Sequence, residues 1–385
     1  MASWISMNEA CGLLGVRAQT VYAYVSRGKI EVMTDPADTR KSLYRAEDVA
    51  GLAKRKEAGR KHETLAANTL FGAEPSIPTG LTAFVRGRPY YRGQDVIALA
   101  RTATLEEAAR LLWGAEQAVD FSCCAPPAHA HAGAPGRVAA FTALAALSAT
   151  GHSTRGRRTR VLHIEGQSLV GQLADAFGAA PGSLPLHQRF AKGWKQSAKV
   201  ADLLRTAMVL LVDHELTSSA FVARITASTG ASLPACLLAG LTTLSGPLHG
   251  DASGRVQALF SEVGRVGADQ VLEHHLSTGL ALAGFGHHIY PDGDPRAAAL
   301  LALTEPPDVI ARFIEKATEL TGLQPNIDVA LAALMARHRL PHDAAFSLFA
   351  TARSIGLLAH SLEQLEVSQV IRPRGRYVGV VPELG

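Results

Sequence analysis

After about residue 67, apolar residues recur at helical spacing through most of the chain, and this periodicity limits the fold more than any other feature. Helical patterns run over 136–149, 165–178, 195–228, 231–244, 255–282, 296–303, 307–320, 327–337 and 343–365. Candidate strands are few: short ones are expected around Gly87 and Gly93. They lead into "LEEAARLLW", where Thr104 and Glu107 are placed to form a capping box. Helices with apolar stripes bury them against one another, so a mainly α body is expected. The apolar run at 202–212 is interrupted by Arg205 and ended by Asp213, too short to cross a bilayer. At 385 residues the chain has room for two or three domains.

Residues 1–66 differ from the rest. Ser6 with Glu9 reads as a capping box ahead of a first helix, and "RAQTVYAYVSRGKI" gives a second helix ending at Gly28. Two short strands around Asp35-Pro36 follow, then the charged helix "AEDVAGLAKRKEAGRK". Helix, turn, helix and small wing is the order of a DNA-binding module. The segment resembles the winged helix-turn-helix of excisionases and mercury-resistance-type regulators. Candidate phosphate contacts are Arg17, Arg27, Lys29, Arg40 and Lys41. Eleven Lys/Arg against eight Asp/Glu in 1–66 make the segment only weakly basic. A small folded appendage for dimerisation or docking is the alternative reading.

The formal charge of +4 is modest for 385 residues, which argues against a nucleic-acid coat. Cys11, Cys123, Cys124 and Cys236 show no CxxC spacing, as expected of a reducing cytoplasm. The N-terminal stretch has no basic region ahead of an apolar one, so no signal peptide is expected. Cys123, Cys124, His129 and His131 share a loop, but their spacing fits no standard zinc site. No metal is expected.

Chemistry concentrates at three helix junctions. "GFGHHIYPDGDPRA" (284–297) sets His287 behind a Gly-x-Gly turn; Asp294 is a good N-cap, Pro295 suits the first helical position, and Arg296 falls in the first turn. A guanidinium beside free helical N–H groups is a receptor for a carboxylate or phosphate, or else satisfies a neighbouring acid. "SGPLHGDASG" holds His249 in a Gly/Pro turn. "PNIDVALAAL" places Asp328 at a helix start, where a carboxylate is an ordinary cap or, facing a cleft, a general base.

From about residue 79 to 380 the chain resembles the citrate synthases and 2-methylcitrate synthases. "RPYYRGQDVIALARTATLEEAARLLWG" resembles that family's opening segment, and "VDHELTSSAFVARITASTGASLPACLLAGLTTLSGPLHG" its large-domain helices up to the first catalytic histidine. "GFGHHIYPDGDPRA" is similar to the family's GFGHRVYxxxDPRA, "NIDVAL" to its NVD, "ARSIGLLAHSLEQ" to its ARxxGxxAH helix, and "RPRGRYVG" to its RPRxxYxG. The resemblance implies that acetyl-CoA or propionyl-CoA condenses with oxaloacetate, acyl-CoA being a substrate and no further cofactor being needed. It implies Asp328 as the base, His249 as the group holding the thioester oxygen, and His287 as the group polarising the ketone. Arg296, Arg353 and His214 become substrate contacts, and Arg372 the arginine lent across a homodimer interface.

The chain departs from the pattern at His288, where the family has arginine, at Pro291, and at Asp251, which replaces the second glycine of HGG. The section 115–195 matches no motif. The expected architecture is a winged segment over 1–66, a large helical domain over 67–252 and 341–385, and a small mobile domain over 253–340. The rival expectation is a DNA-binding regulator that senses oxaloacetate or acyl-CoA through a synthase-like domain.

Overall fold

In the computed structural model, Met1–Ser76 with Pro373–Gly385 form one unit and Ile77–Arg372 another. Residues 3–16, 18–26, 28–36, 38–53, 77–122, 136–367, 369–373 and 379 are described. The boundary expected at 66 and the loop carrying Cys123, Cys124, His129 and His131 lie outside them, as do Arg17, Arg27 and the side chain of Arg40.

The first unit begins with the strand Trp4–Ile5 and the helices Met7–Leu14 and Ala18–Ser26. Ser6 and Glu9 form the expected reciprocal capping box, and Gly15 ends the first helix in the left-handed region at φ 57°. The strands Val32–Asp35 and Asp38–Arg45 pair antiparallel; Trp4–Ile5 joins the other edge of the second, and helix resumes over 46–53. Ala10, Leu14, Val21, Ile30, Tyr44 and Val49 close a core of their own. Lys29 is exposed, and Lys41 lies 3.1 Å from Asp38.

In the second unit, a three-stranded antiparallel sheet, Thr82–Val85, Arg88–Tyr91 and Gln94–Asp95, precedes the helices. Thr104 and Glu107 make their capping box, and Gly114 ends that helix. Two long sequence patterns each divide in two. The stretch 195–228 becomes Ala198–Leu211 and Ser218–Ser228, separated by a turn in which Glu215 takes φ 60°. The stretch 255–282 becomes Ala252–Val266 and Ala268–Thr278, broken at Gly267 with φ 92°. Apolar residues continue on both sides of each break, so neither break shows as a gap in the pattern. Within 115–195, Arg189 is buried, donates to the carbonyls of Ala180 (2.7 Å) and Phe121 (2.7 Å), and pairs with Asp175, tying that section together.

Two apolar cores organise this unit. The larger is threaded by the 23-residue helix Ala344–Glu366, which is buried on nearly every face. A Cβ at Gly356 would meet the Val212 carbonyl at 2.4 Å, so glycine lets that helix press directly on the 212–213 backbone. The smaller core gathers Val256, Phe260, Val271, Leu272, Phe285, Ile310 and Phe313. The helix Ile327–His338 serves both: Val329, Ala332 and Ala333 enter the smaller core, and Ala330, Leu331 and Leu334 the larger. Among the described residues no helix is long and apolar enough to cross a membrane.

Candidate active site

The junction between the two cores is where the singled-out residues converge. Gly286 N–H donates to the Gln324 carbonyl (2.8 Å) and Asn326 N–H to the Gly284 carbonyl (2.8 Å), stitching the His287 loop to the turn before Asp328. Gly284 sits at φ 83°, and a Cβ there would meet Val329 Cγ2 at 2.6 Å and Val256 Cγ2 at 2.7 Å. No other residue allows the loop this close.

His287 and His214 stand edge to face with ring centroids 5.4 Å apart. Tyr290 joins them: its hydroxyl is 3.0 Å from His214 Nε2 and its ring 4.9 Å from that of His287. Phe84 closes the group at 4.9 Å from His214. Burial first, then the cationic charge of Arg296, pushes His287 down to about 4. Burial, Arg296 and Arg353 hold His214 well below the ordinary histidine range. Near neutral pH both imidazoles are therefore uncharged and can act as donors.

Arg296 is buried, with Asp294 accepting from Nε (3.0 Å) and Nη2 (2.8 Å), and its Cζ lies 5.3 Å from the Tyr290 ring centroid. Asp294 also accepts from the Arg296 and Ile327 backbone N–H groups. Its cap therefore joins two helix starts and fixes the guanidinium. This qualifies the sequence reading of Arg296: one edge of its fork already serves Asp294, so an incoming anion meets the remaining Nη1 side. Arg353, also buried, is held by Nε donating to the Leu211 carbonyl (3.0 Å), with Phe349 beneath it at 4.9 Å.

Asp328 is buried in the first turn of Ile327–His338, and its Oδ1 has no hydrogen-bond partner. The N-cap of this helix is Asn326, which accepts from Asp328 N–H at 3.0 Å, so the Asp328 carboxyl is spared that duty. Burial pushes it up to about 7, opposed by Arg296 and Arg353 and reinforced by Asp294. A buried carboxyl with an unpartnered oxygen and a value near neutrality suits a general base better than a cap.

His249 sits on the turn before Ala252–Val266, with Nε2 2.9 Å from Ser219 Oγ. Burial and then Arg353 push it down to about 4. The segment carrying His214 is anchored by Asp213, which is fully buried. Its Oδ2 accepts from Thr82 Oγ1 at 2.6 Å, its Oδ1 lies 3.3 Å from His360 Nε2, and its backbone N–H donates to Tyr91 Oη at 3.2 Å. Burial raises the Asp213 carboxyl, but His360 and Arg353 outweigh it and leave the value below the usual range.

His214, His249, His287, Arg296, Asp328 and Arg353 thus share one electrostatic neighbourhood. Arg372 does not join it: it is exposed, and no hydrogen bond or ion pair among the described residues ties it to its own chain's cleft. His288 is exposed and stacks on His287 at 4.9 Å and 11°. Asp251 does not stand as a bare charge beside His249, because Arg137 pairs with it through two bonds of 3.0 and 2.9 Å. Sequence reasoning missed Tyr290, Ser219, Asp213, His360 and Arg137 as parts of the site. Of these, Tyr290, Ser219, Asp213 and His360 stood within stretches already quoted without being given a role, and only Arg137 stood outside them. Among the described residues no cluster of three or more His, Cys, Asp or Glu could hold a metal.

Residues 75–374 match the family pattern described as citrate synthase, C-terminal domain. Citrate synthase from Haloferax volcanii is 34% identical over 199 residues, 49% of this chain and 52% of that protein. Citrate synthase 2 from Bacillus subtilis is 32% identical over 198 residues, 49% of this chain and 53% of that protein. The alignments thus span about half the length of these relatives. A ternary complex of carboxymethyl coenzyme A and oxaloacetate with citrate synthase from Thermoplasma acidophilum superposes with a TM-score of 0.69 at 21% identity. It covers 83% of this chain and 97% of that one, a likeness of fold.

Proposed function

The chain belongs to the citrate synthase family, and from that premise we propose that it condenses acetyl-CoA or propionyl-CoA with oxaloacetate, giving citrate or 2-methylcitrate and CoA. The observation that carries the reading is Asp328: a buried carboxyl, pushed up to about 7, with one oxygen unpartnered and arginines on its flank. The carbon next to a thioester is a very weak acid, so its deprotonation needs a base and enol stabilisation together. Asp328 takes that proton, while neutral His249 donates to the thioester oxygen. The enol carbon attacks the oxaloacetate ketone, and His287 donates to the oxygen that becomes the product hydroxyl. Water then cleaves the thioester of the bound intermediate, releasing CoA and the tricarboxylate. Arg296, Arg353 and His214 hold the oxaloacetate carboxylates.

The residues around the smaller core, 253–340, form the moving part in this reading, closing over the substrates to exclude water until hydrolysis. Arg372 crosses to a second copy's cleft in a homodimer, consistent with its exposure. Residues 1–66 are read as a winged helix-turn-helix, supported by their two helices, antiparallel hairpin and separate core. A cytoplasmic location completes the reading.

That separate core also favours a second reading, a DNA-binding regulator whose synthase-like part senses the substrates. Free-thiol release with oxaloacetate and each acyl-CoA tests both. Turnover with either thioester supports the enzyme. Duplex DNA binding tuned by oxaloacetate, with no turnover on any acyl-CoA, supports the regulator.

A further inference from the structure

Arg137 opens the helix Gly136–Thr150, whose Ala140 and Leu144 lie in the larger core. Its guanidinium covers the Phe346 ring at 3.7 Å. From there Nη1 and Nη2 reach both oxygens of Asp251 at 3.0 and 2.9 Å, and Nη2 lies 3.5 Å from Asp343 Oδ1. Both aspartates occupy the N-cap position of a helix, Asp251 of Ala252–Val266 and Asp343 of Ala344–Glu366, yet neither side chain caps it. An aspartate there normally accepts from its own helix. Both of these carboxylates lie against one guanidinium instead.

The place matters. Asp251 opens a helix of the smaller core and Asp343 the long helix of the larger one, so a single side chain ties together the starts of one helix from each core. His249 stands two residues before Asp251, in a turn closed by Gly250 N–H to the Leu244 carbonyl (2.8 Å) and Ala252 N–H to the His249 carbonyl (3.3 Å). A Cβ on Gly250 would meet Leu244 at 2.6 Å, so the turn is tightly seated on its inner side. On the other side it is held by Arg137 through Asp251. We propose that Arg137 is a positioning residue that clamps the starts of these two helices together and holds the His249 turn at the angle catalysis requires. This rests on His249 acting in the condensation. Asp251, which stands where the resembled pattern has glycine, is the partner that makes the clamp a property of this chain.

The test is a double-mutant cycle on the full-length protein, read by turnover and by amide hydrogen exchange of residues 246–252. In Arg137→Ala the turn loses its outer hold, and exchange there quickens by about tenfold or more. Misplacement of His249 lowers kcat by about tenfold. KM for oxaloacetate stays within about twofold, because Arg296 and Arg353 are untouched. In Arg137→Ala with Asp251→Gly the stranded carboxylate is gone, so kcat recovers beyond what two independent losses would give. A merely structural arginine gives additive losses and no recovery. Arg137→Lys keeps the charge without the two-pronged geometry and falls between, and it carries the test should the alanine variant not fold. Unchanged exchange and kcat in Arg137→Ala, or strictly additive losses, overturn the clamp. If wild-type protein turns over no acyl-CoA, the reaction proposed above fails, and the exchange measurement alone decides the clamp.

Discussion

The backbone N–H of Ile289 donates to Nδ1 of His287 at 3.1 Å, which makes Nδ1 the acceptor and leaves the ring proton on Nε2. With His287 pushed down to about 4, the ring is neutral and presents one fixed donor near pH 7. A preorganised donor aimed at developing negative charge contributes about 10²–10³ in rate. His287→Ala should therefore lower kcat by that factor with a smaller change in KM for oxaloacetate. His287→Gln, which can still present an N–H, should recover part of it. Equal kcat in wild type and His287→Ala, measured by thiol release, would remove His287 from the chemistry.

Asp328 predicts opposite effects on rate and stability. Only its carboxylate can accept the proton, so log kcat/KM should rise with slope one below about pH 7 and level off above. Asp328→Asn should abolish nearly all turnover while oxaloacetate still binds. Its folded value lies above the ordinary 3.8, so the fold favours the protonated form. The cost of holding the charge is absent below about pH 4, grows as pH rises, and is complete above about 7. At pH 8 it is on the order of 4 kcal/mol for a shift of this size. Asparagine carries no such charge, so Asp328→Asn should melt higher than wild type at pH 8 and lose that advantage toward pH 4. Identical melting curves across this range would show that Asp328 is not a strained buried acid.

Ser219 is fully buried on the helix Ser218–Ser228, and its Oγ lies within hydrogen-bond distance of the His249 ring, 2.9 Å from Nε2. Removing the hydroxyl frees the imidazole to rotate without changing its charge. Ser219→Ala should lower kcat by about tenfold with KM for oxaloacetate nearly unchanged, since small misplacements act on the reacting step. Ser219→Thr, which keeps the hydroxyl, should retain more activity than Ser219→Ala. A larger effect on KM than on kcat would instead place Ser219 with oxaloacetate binding.

What could be read beforehand was what local rules govern. The Asp294-Pro295-Arg296 start, both capping boxes, the hairpin at Asp35-Pro36 and the Gly-x-Gly turn before His287 all follow from backbone chemistry within a few residues. Partnerships made across long sequence separations could not be read this way. That Asp294 takes one edge of the Arg296 fork depends on how the guanidinium turns, not on the cap. Arg137 meets Asp251 across 114 residues and Ser219 meets His249 across 30, and no periodicity marks either serine or arginine as special. The break between Leu211 and Ser218 was hidden for another reason: apolar residues continue on both sides of the buried Asp213 and His214.

Arg372 offers a test of whether one cleft draws on two chains. If it serves the partner's cleft in a homodimer, Asp328→Asn and Arg372→Ala chains should each be inactive alone yet complement one another. In a heterodimer, the cleft with intact Asp328 receives Arg372 from the Asp328→Asn chain and is complete. The other cleft lacks both. Random pairing of equal amounts makes half of the dimers mixed, with half of their clefts complete, so activity should recover to about one quarter of wild type. If Arg372 instead acts within its own chain, every cleft in the mixture lacks one residue or the other. Verified heterodimers with no recovered thiol release would then count against the shared cleft and leave Arg372 to a role elsewhere.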